Sequence, residues 1–278
     1  MPLSCALLAA GAAQRFGAPK LLLPAGPHET ILSRAARAAL EAIDGQLLVI
    51  LPRAAAMHRA ALEPLHDLGV RPIENPRSDA GLGSSVALAA RTALMDGADG
   101  LLVMPADLTS FAPDGLARLV AKYREGAFWA VASANGGKAQ APAIFSRAAL
   151  SRLAKLEGGR GAQALLREPE GEVAVSPAVS EELSDLDRWP AYAAAAHAFG
   201  WDVELPEAIR RAEEPAGGPF DCIWRLGETL AHFSPAQETE IVAWQTEGHS
   251  NVGAMGSPEV ALRLLRAAAL WELRRDRA

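Results

Sequence analysis

The fold class predicted by this sequence is α/β, a doubly wound, mostly parallel sheet followed by a small all-helical segment. Three observations predict it. Short continuous apolar runs at residues 5–10, 46–51 and 100–106 read as strands buried on both faces of a sheet. The stretches between them carry apolar residues at helical spacing, which makes alternating β and α elements and hence a parallel sheet covered by helices. Glycine, proline or aspartate closes each run, so the turns fall at the strand exits. With 278 residues, half of them apolar, the chain exceeds the usual single-domain size, and it divides into a large domain over 1–198 and a helical domain over 199–278.

The first strand empties into the stretch on which the reading turns, LLAAGAAQRFGAPKLLL over residues 7–23. Gly11 follows the apolar run, and without a Cβ it lets backbone N–H groups approach an anion closely. Arg15 and Lys20 add a planar fork and a point charge, a pair suited to gripping a polyphosphate. The spacing fits neither G-x-x-x-x-G-K-[ST] nor G-x-G-x-x-G, so this is not either of the two common phosphate loops. Read for local chemistry alone, the stretch is equally a strand and tight turn with two solvated cations.

Leu8, Ala9, Ala10, Gly11, Arg15, Gly17 and Lys20 together resemble the L-A-A-G-x-x-x-R-x-G-x-x-K signature of the MobA-like nucleotidyltransferases. The resemblance implies a Rossmann-like nucleotidyltransferase fold. It also implies that Leu8 to Gly11, Arg15 and Lys20 bind a nucleoside triphosphate. Alanine at Ala10 looks more like the molybdenum cofactor cytidylyltransferases than the guanylyltransferases, which usually carry a second glycine there.

Along the rest of the chain, residues 28–43 read as a helix, 46–51 as the second strand, 54–68 as a helix and 70–73 as the third strand. Residues 75–88, NPRSDAGLGSSVAL, place Gly81 and Gly83 in a flexible loop, with Ser84 or Ser85 capping the helix that runs to Leu94. A helix N-terminus offers free N–H groups and a positive dipole end. The stretch is equally an ordinary capped helix; in the resembled family it lies in the nucleotide site, which assigns Gly81, Ser84 and Ser85 to nucleotide binding.

The run at 100–106 ends in Asp107, at the carboxyl end of a strand where such sheets bind ligands. A carboxylate facing a polyphosphate needs a cation between them, and a hard-oxygen site of one or two carboxylates plus phosphate suits Mg²⁺. Residues 128–132 and 172–176 read as further strands. Residues 140–147 resemble the family's H-P-x-x-F segment near the acceptor, with Pro142 and Phe145 kept and Gln140 and Ala141 replacing a common Gly-His pair. Residues 156–166 look like a G-D-x-G-A-R stretch, with Gly159 where aspartate is common. The 183–193 stretch resembles a closing D-I-D-T-x-x-D motif, and of Asp185 and Asp187 the second is the expected metal ligand beside Asp107. The same aspartates would serve as caps of a helix beginning at Trp189 and Pro190.

Beyond residue 199 the resemblance stops, and residues 206–213, 220–233, 235–247 and 258–275 have helical apolar spacing, with Trp224, Trp244 and Trp271 as core anchors. His232 and His249 lack the spacing of a metal site, and Arg274, Arg275 and Arg277 suit the end of a helix.

Charge and cysteine content narrow the classes further. A net charge of −6 and a pI near 5.6 argue against a nucleic-acid surface. Cys5 and Cys222 form neither a C-x-x-C pair nor a disulfide framework. The apolar start lacks the basic leader of a signal peptide and no run reaches the ~20 residues of a membrane span, which points to a cytoplasmic protein. The expected activity is Mg²⁺-dependent transfer of CMP from CTP to a molybdopterin-type phosphorylated acceptor, catalysed by Arg15, Lys20 and Asp107. Two other readings remain open: a sugar or alditol phosphate acceptor, or a non-catalytic maturation factor that docks on a molybdoenzyme.

Overall fold

The computed structural model describes residues 2–11, 20–22, 25, 29–53, 55–108, 113–178, 186 and 189–199. The helices expected between 206 and 275 lie outside them. The chain divides into two compact units, one of residues 1–11, 35–53 and 65–184 and the other of 12–34, 54–64 and 185–278.

The first unit is built on a seven-stranded sheet. Its strands are β1 (Leu3–Leu8), β2 (Leu47–Leu51), β3 (Val70–Glu74), β4 (Gly100–Pro105), β5 (Ala130–Asn135), β6 (Lys138–Ser146) and β7 (Val173–Pro177), in spatial order β3-β2-β1-β4-β6-β5-β7. Every neighbouring pair is parallel except those involving β6, which runs antiparallel to both β4 and β5. The doubly wound, mostly parallel sheet expected from the sequence is the architecture observed.

Continuous apolar composition fits strands covered on both faces, and β2 is buried at all five positions. Alternation sorts the side chains. Ala6, Ile50, Val103, Ala132 and Phe145 join a core cluster with Val86, Ala89 and Ala90 of α3 (Leu82–Met95) and Leu150 of α5 (Arg147–Leu153). Alanines on α3 let the helix lie close to the sheet, where larger side chains would force it away. Outside that cluster, Leu116, Leu119 and Val120 of α4 (Pro113–Arg124) are buried, and α4 packs on β5, β6 and β7.

The β5–β6 hairpin is the piece the sequence reading missed. Its turn is Gly136–Gly137, with φ of +57° and +77°, flanked by Asn135 and Lys138. Positive φ at both central residues is what a two-residue hairpin turn with the right twist requires, and glycine supplies it without steric cost. Helix α4 is a second element absent from the sequence reading, in which nothing is assigned between Asp107 and the strand expected at 128–132.

Ends of elements moved for identifiable reasons. The helix expected at 28–43 is α1 (Ile31–Ala42), because Thr30 and Ser33 close a reciprocal cap: the Thr30 N–H donates to Ser33 Oγ at 2.8 Å and the Ser33 N–H to Thr30 Oγ1 at 3.1 Å. The helix expected at 54–68 is α2 (Ala56–Leu62), continued as a tighter 3-10 turn over Glu63–Leu68. Pro64, which has no N–H to give, falls at that change.

In the second unit, α2 packs on a 3-10 turn at Lys20–Leu22. Helix α6 (Gln163–Arg167) belongs to the first unit and α7 (Trp189–Ala198) to the second, where the Arg34 guanidinium lies 5.4 Å from the centre of the Phe199 ring. No helix among the described residues is long and apolar enough to cross a membrane.

Candidate functional site

Strand order reverses between β1 and β4. From β1 the chain moves outward to β2 and β3, then returns to lay β4 on the other side of β1. The crevice outside the carboxyl ends of two such strands is where open α/β sheets bind ligands. Here those ends are locked together. Leu8 and Pro105 are register partners, and the Ala106 N–H donates to the Leu8 carbonyl at 3.1 Å. On the other side the Ala9 N–H donates to the Ile50 carbonyl at 2.9 Å. Ala10 and Gly11 therefore leave the sheet beside the turn that carries Asp107. Ala9 is buried, Ala10 and Asp107 are half-buried and Gly11 is exposed.

Gly11 differs from the other glycines of the site. Among the described residues a Cβ there would meet nothing within 4 Å, and its φ lies outside the left-handed region, so no described contact requires glycine. At Gly81 and Gly83 the opposite holds. A Cβ on Gly81 would stand 2.7 Å from the Gly158 carbonyl oxygen, and one on Gly83 2.7 Å from the Arg160 oxygen and 2.8 Å from that of Glu157. Gly81 also has φ of +97°. The loop expected to be flexible is thus a seat for residues 157–161, and the Gly83 N–H is spent on the Gly158 carbonyl at 2.9 Å.

The serines also differ from expectation. Neither caps α3; the N-cap is Gly81, with no side-chain hydrogen bond. Ser84 and Ser85 lie inside the first turn, 5% and 3% exposed, and both accept hydrogen bonds from Asn75 Nδ2, at 2.9 and 3.0 Å. Asn75 is a site residue that the sequence reading passed over. Its signal was available, a lone Asn at the exit of a strand where amide donors and acceptors fix the following turn.

On the far side of β4, the pairing of β6 stops at Val103–Ala143. Gln140, Ala141 and Pro142 continue past that last rung, toward the same carboxyl ends. Pro142 follows a cis peptide bond, and its carbonyl accepts from Ser133 Oγ at 2.9 Å. The structure thus brings Leu8, Ala9, Ala10, Gly11 and Asp107 to one place, with the Gln140 segment along the same edge.

Lys20 sits half-buried in its 3-10 turn in the second unit. Arg15, Gly17, Asp185 and Asp187 lie outside the described residues. Among the described residues no three His, Cys, Asp or Glu side chains gather as a metal cluster.

The family model for the MobA-like NTP transferase domain matches residues 5–173, more than half of the chain. This chain belongs to the MobA-like NTP transferase family. The match spans β1 through the start of β7 and so contains the whole crevice just described. As a MobA-like nucleotidyltransferase it takes a nucleoside triphosphate as substrate.

Solved structures agree on the fold of this MobA-like chain. Rv0371c from Mycobacterium tuberculosis is 27% identical, with a TM-score of 0.58 over 71% of this chain and 98% of that one. The same protein in complex with manganese gives 26% identity and a TM-score of 0.56, over 71% and 98%. A nucleotidyl transferase from Methanothermobacter thermautotroptrophicus, at 22% identity and a TM-score of 0.58 over 71% and 97%, shares the fold. No curated protein matches the chain.

Proposed function

We propose that this nucleotidyltransferase moves CMP from CTP onto a molybdopterin-type phosphorylated acceptor and releases pyrophosphate. The observation that carries the reading is the junction of β1 and β4, where the Ala106–Leu8 hydrogen bond holds Asp107 beside the Ala9–Gly11 exit. An exposed glycine that no contact among the described residues requires fits a backbone that must approach a ligand. The choice of CTP is supported by Ala10, which resembles the cytidylyltransferases at that position.

In this reading an oxygen of the acceptor phosphate attacks the α-phosphorus of CTP in line. The new P–O bond forms as the bond to the β-phosphate oxygen breaks, and pyrophosphate leaves with the electron pair. Little covalent chemistry falls to the protein, so positioning and charge neutralisation dominate. Arg15 and Lys20 hold the triphosphate and stabilise the departing pyrophosphate, and Leu8, Ala9, Ala10 and Gly11 carry the nucleotide. Gly81, Ser84 and Ser85 form the wall at the start of α3.

The donor set suits Mg²⁺. Asp107 supplies a hard carboxylate oxygen from a strand end, and a site of one or two carboxylates completed by phosphate and water is the habit of that ion. Asp107 and Asp187 would hold it, and when bound it would neutralise phosphate charge. The manganese complex of Rv0371c supports a divalent cation in this family. On this reading residues 199–278 are a helical domain with no assigned role, a molybdoenzyme is the proposed partner, and the protein works in the cytoplasm.

Calorimetric titration of CTP, GTP, ATP and UTP, each with and without Mg²⁺, tests the reading. Magnesium-dependent preference for CTP is expected. Binding of none of the four would overturn catalysis, and preference for GTP would overturn the cytidylyl assignment.

A further inference from the structure

Asn75 follows the last residue of β3, is 2% exposed, and has every polar atom of its side chain engaged. Oδ1 accepts from the Arg77 backbone N–H at 2.9 Å. A backbone amide only donates, so that contact fixes which end of the side chain is oxygen, and the NH₂ group must face the serines. It gives one hydrogen to Ser84 Oγ at 2.9 Å and the other to Ser85 Oγ at 3.0 Å.

The two serines then part company. Ser84 shares its own hydrogen between the carbonyls of Gly81 at 2.7 Å and Arg77 at 2.8 Å, so its hydroxyl is spent in both directions. The Ser85 hydroxyl accepts from Asn75, but its hydrogen meets no acceptor among the described residues. A buried donor left unsatisfied costs about 1–3 kcal/mol, so such a group calls for a partner from elsewhere.

We infer that Asn75 is a positioning residue that sets the polarity of Ser85, making it present its O–H to a hydrogen-bond acceptor of the bound nucleotide. That acceptor is a base carbonyl or ring nitrogen, or a phosphate oxygen. The inference rests on the nucleotidyl-transfer reading. Its logic lies in which atom Asn75 offers. An amide N–H occupies the Ser85 oxygen and leaves the hydrogen to be given away. An aspartate of the same shape would instead take that hydrogen and turn lone pairs toward the ligand, while still accepting from Arg77.

Nucleotide affinity by calorimetry for the full chain, for Asn75→Asp, for Ser85→Ala and for the double variant tests this, with thermal denaturation reporting folding. CTP and inorganic tripolyphosphate are the probes, with the other three nucleotides as controls. Each single change is expected to weaken nucleotide binding at least tenfold and to raise KM with kcat little altered, because the lost bond serves binding. The double variant is expected to be no weaker than either single one, since both remove the same hydrogen bond. Loss on CTP alone assigns the acceptor to the base, and equal loss on tripolyphosphate assigns it to a phosphate. Additive losses in the double variant overturn the inference, as does a Ser85→Ala protein that binds like the unaltered chain. Should Asn75→Asp not fold, the Ser85→Ala affinity decides alone, a tenfold loss upholding the inference and no loss overturning it. An unaltered chain that binds no nucleotide removes the nucleotidyl-transfer reading and this inference together, whereas intact binding with unaffected variants removes only the inference.

Discussion

The amide of Ala106 donates to the carbonyl of Leu8 at 3.1 Å, one residue beyond the final register pair of β1 and β4. That single bond carries the pairing of the two strands past their formal ends and fixes where the next residue, Asp107, leaves the sheet. A carboxylate on an exit tied in this way is held by backbone, which is the rigid support that a positioned charge needs.

Replacing Asp107 with Asn is therefore expected to lower nucleotidyl transfer at least 100-fold while changing stability by less than about 1 kcal/mol, as for a strand-end residue outside the core. Pyrophosphate release and urea denaturation of the same preparations check the two halves. Retained activity would remove Asp107 from the metal site.

Gly83→Ala is expected to destabilise the fold by about 1–3 kcal/mol, even though alanine favours helices more than glycine does. The new methyl group would face the backbone oxygens of Arg160 and Glu157 at 2.7 and 2.8 Å, and backbone yields less readily than a side chain. Gly159→Ala is the matched control, since a Cβ there meets nothing within 4 Å. Equal urea midpoints for the two variants would show that the 157–161 loop does not press on α3.

Stability is expected to fall with acid through His58. Burial holds its imidazole neutral and pulls its pKa from 6.5 down to about 4. Below about pH 6.5 the unfolded chain takes up a proton that the folded chain refuses, so the contribution is complete above that pH. It is lost progressively toward pH 4. The full effect is on the order of 3 kcal/mol. His58→Leu should flatten this part of the profile, and the difference between the two proteins' urea midpoints at pH 7 and pH 4.5 measures it.

Cys5 is expected to resist thiol reagents in the native protein. It is fully buried in β1, and desolvation pushes its thiol well above the ordinary range. In a Cys222→Ser background, Ellman's reagent should react only after denaturant is added. Prompt labelling of the native chain would mean that β1 opens.

Much of the fold was legible because local and global signals agree at particular residues. The runs that became β1, β2 and β4 are apolar throughout, and β2 at Leu47–Leu51 is buried at every position. Residues 135–138, Asn-Gly-Gly-Lys, spell a hairpin as plainly, but no turn is assigned to them from the sequence, and residues 140–147 beyond them are read for their likeness to an acceptor segment and not as a strand. At the candidate site, the spacing of Leu8 to Gly11 and the terminal Asp107 pointed to two strand ends that the structure brings side by side. The orientation of Ser84 and Ser85 was not readable, because a serine in the first turn of a helix serves outward and inward bonds equally well. Only the approach of Asn75 decides between them. Gly81 and Gly83 were misjudged for a similar reason, since their small size answers to residues 157–161, some seventy-five positions away.

The register of β1 against β4 joins Leu3 to Gly100 and Leu8 to Pro105. A nascent chain emerging from its N-terminus holds β1 well before β4 exists, and β1–β4 pairing is a closure that waits until more than a third of the chain is made. The hairpin of β5 and β6, by contrast, joins neighbours and forms on its own local schedule. The crevice between β1 and β4 is thus a product of non-local closure. A fragment that stops short of residue 105 carries the Leu8–Gly11 exit but has nothing to set opposite it, so a truncated product cannot sequester the nucleotide that the finished protein uses.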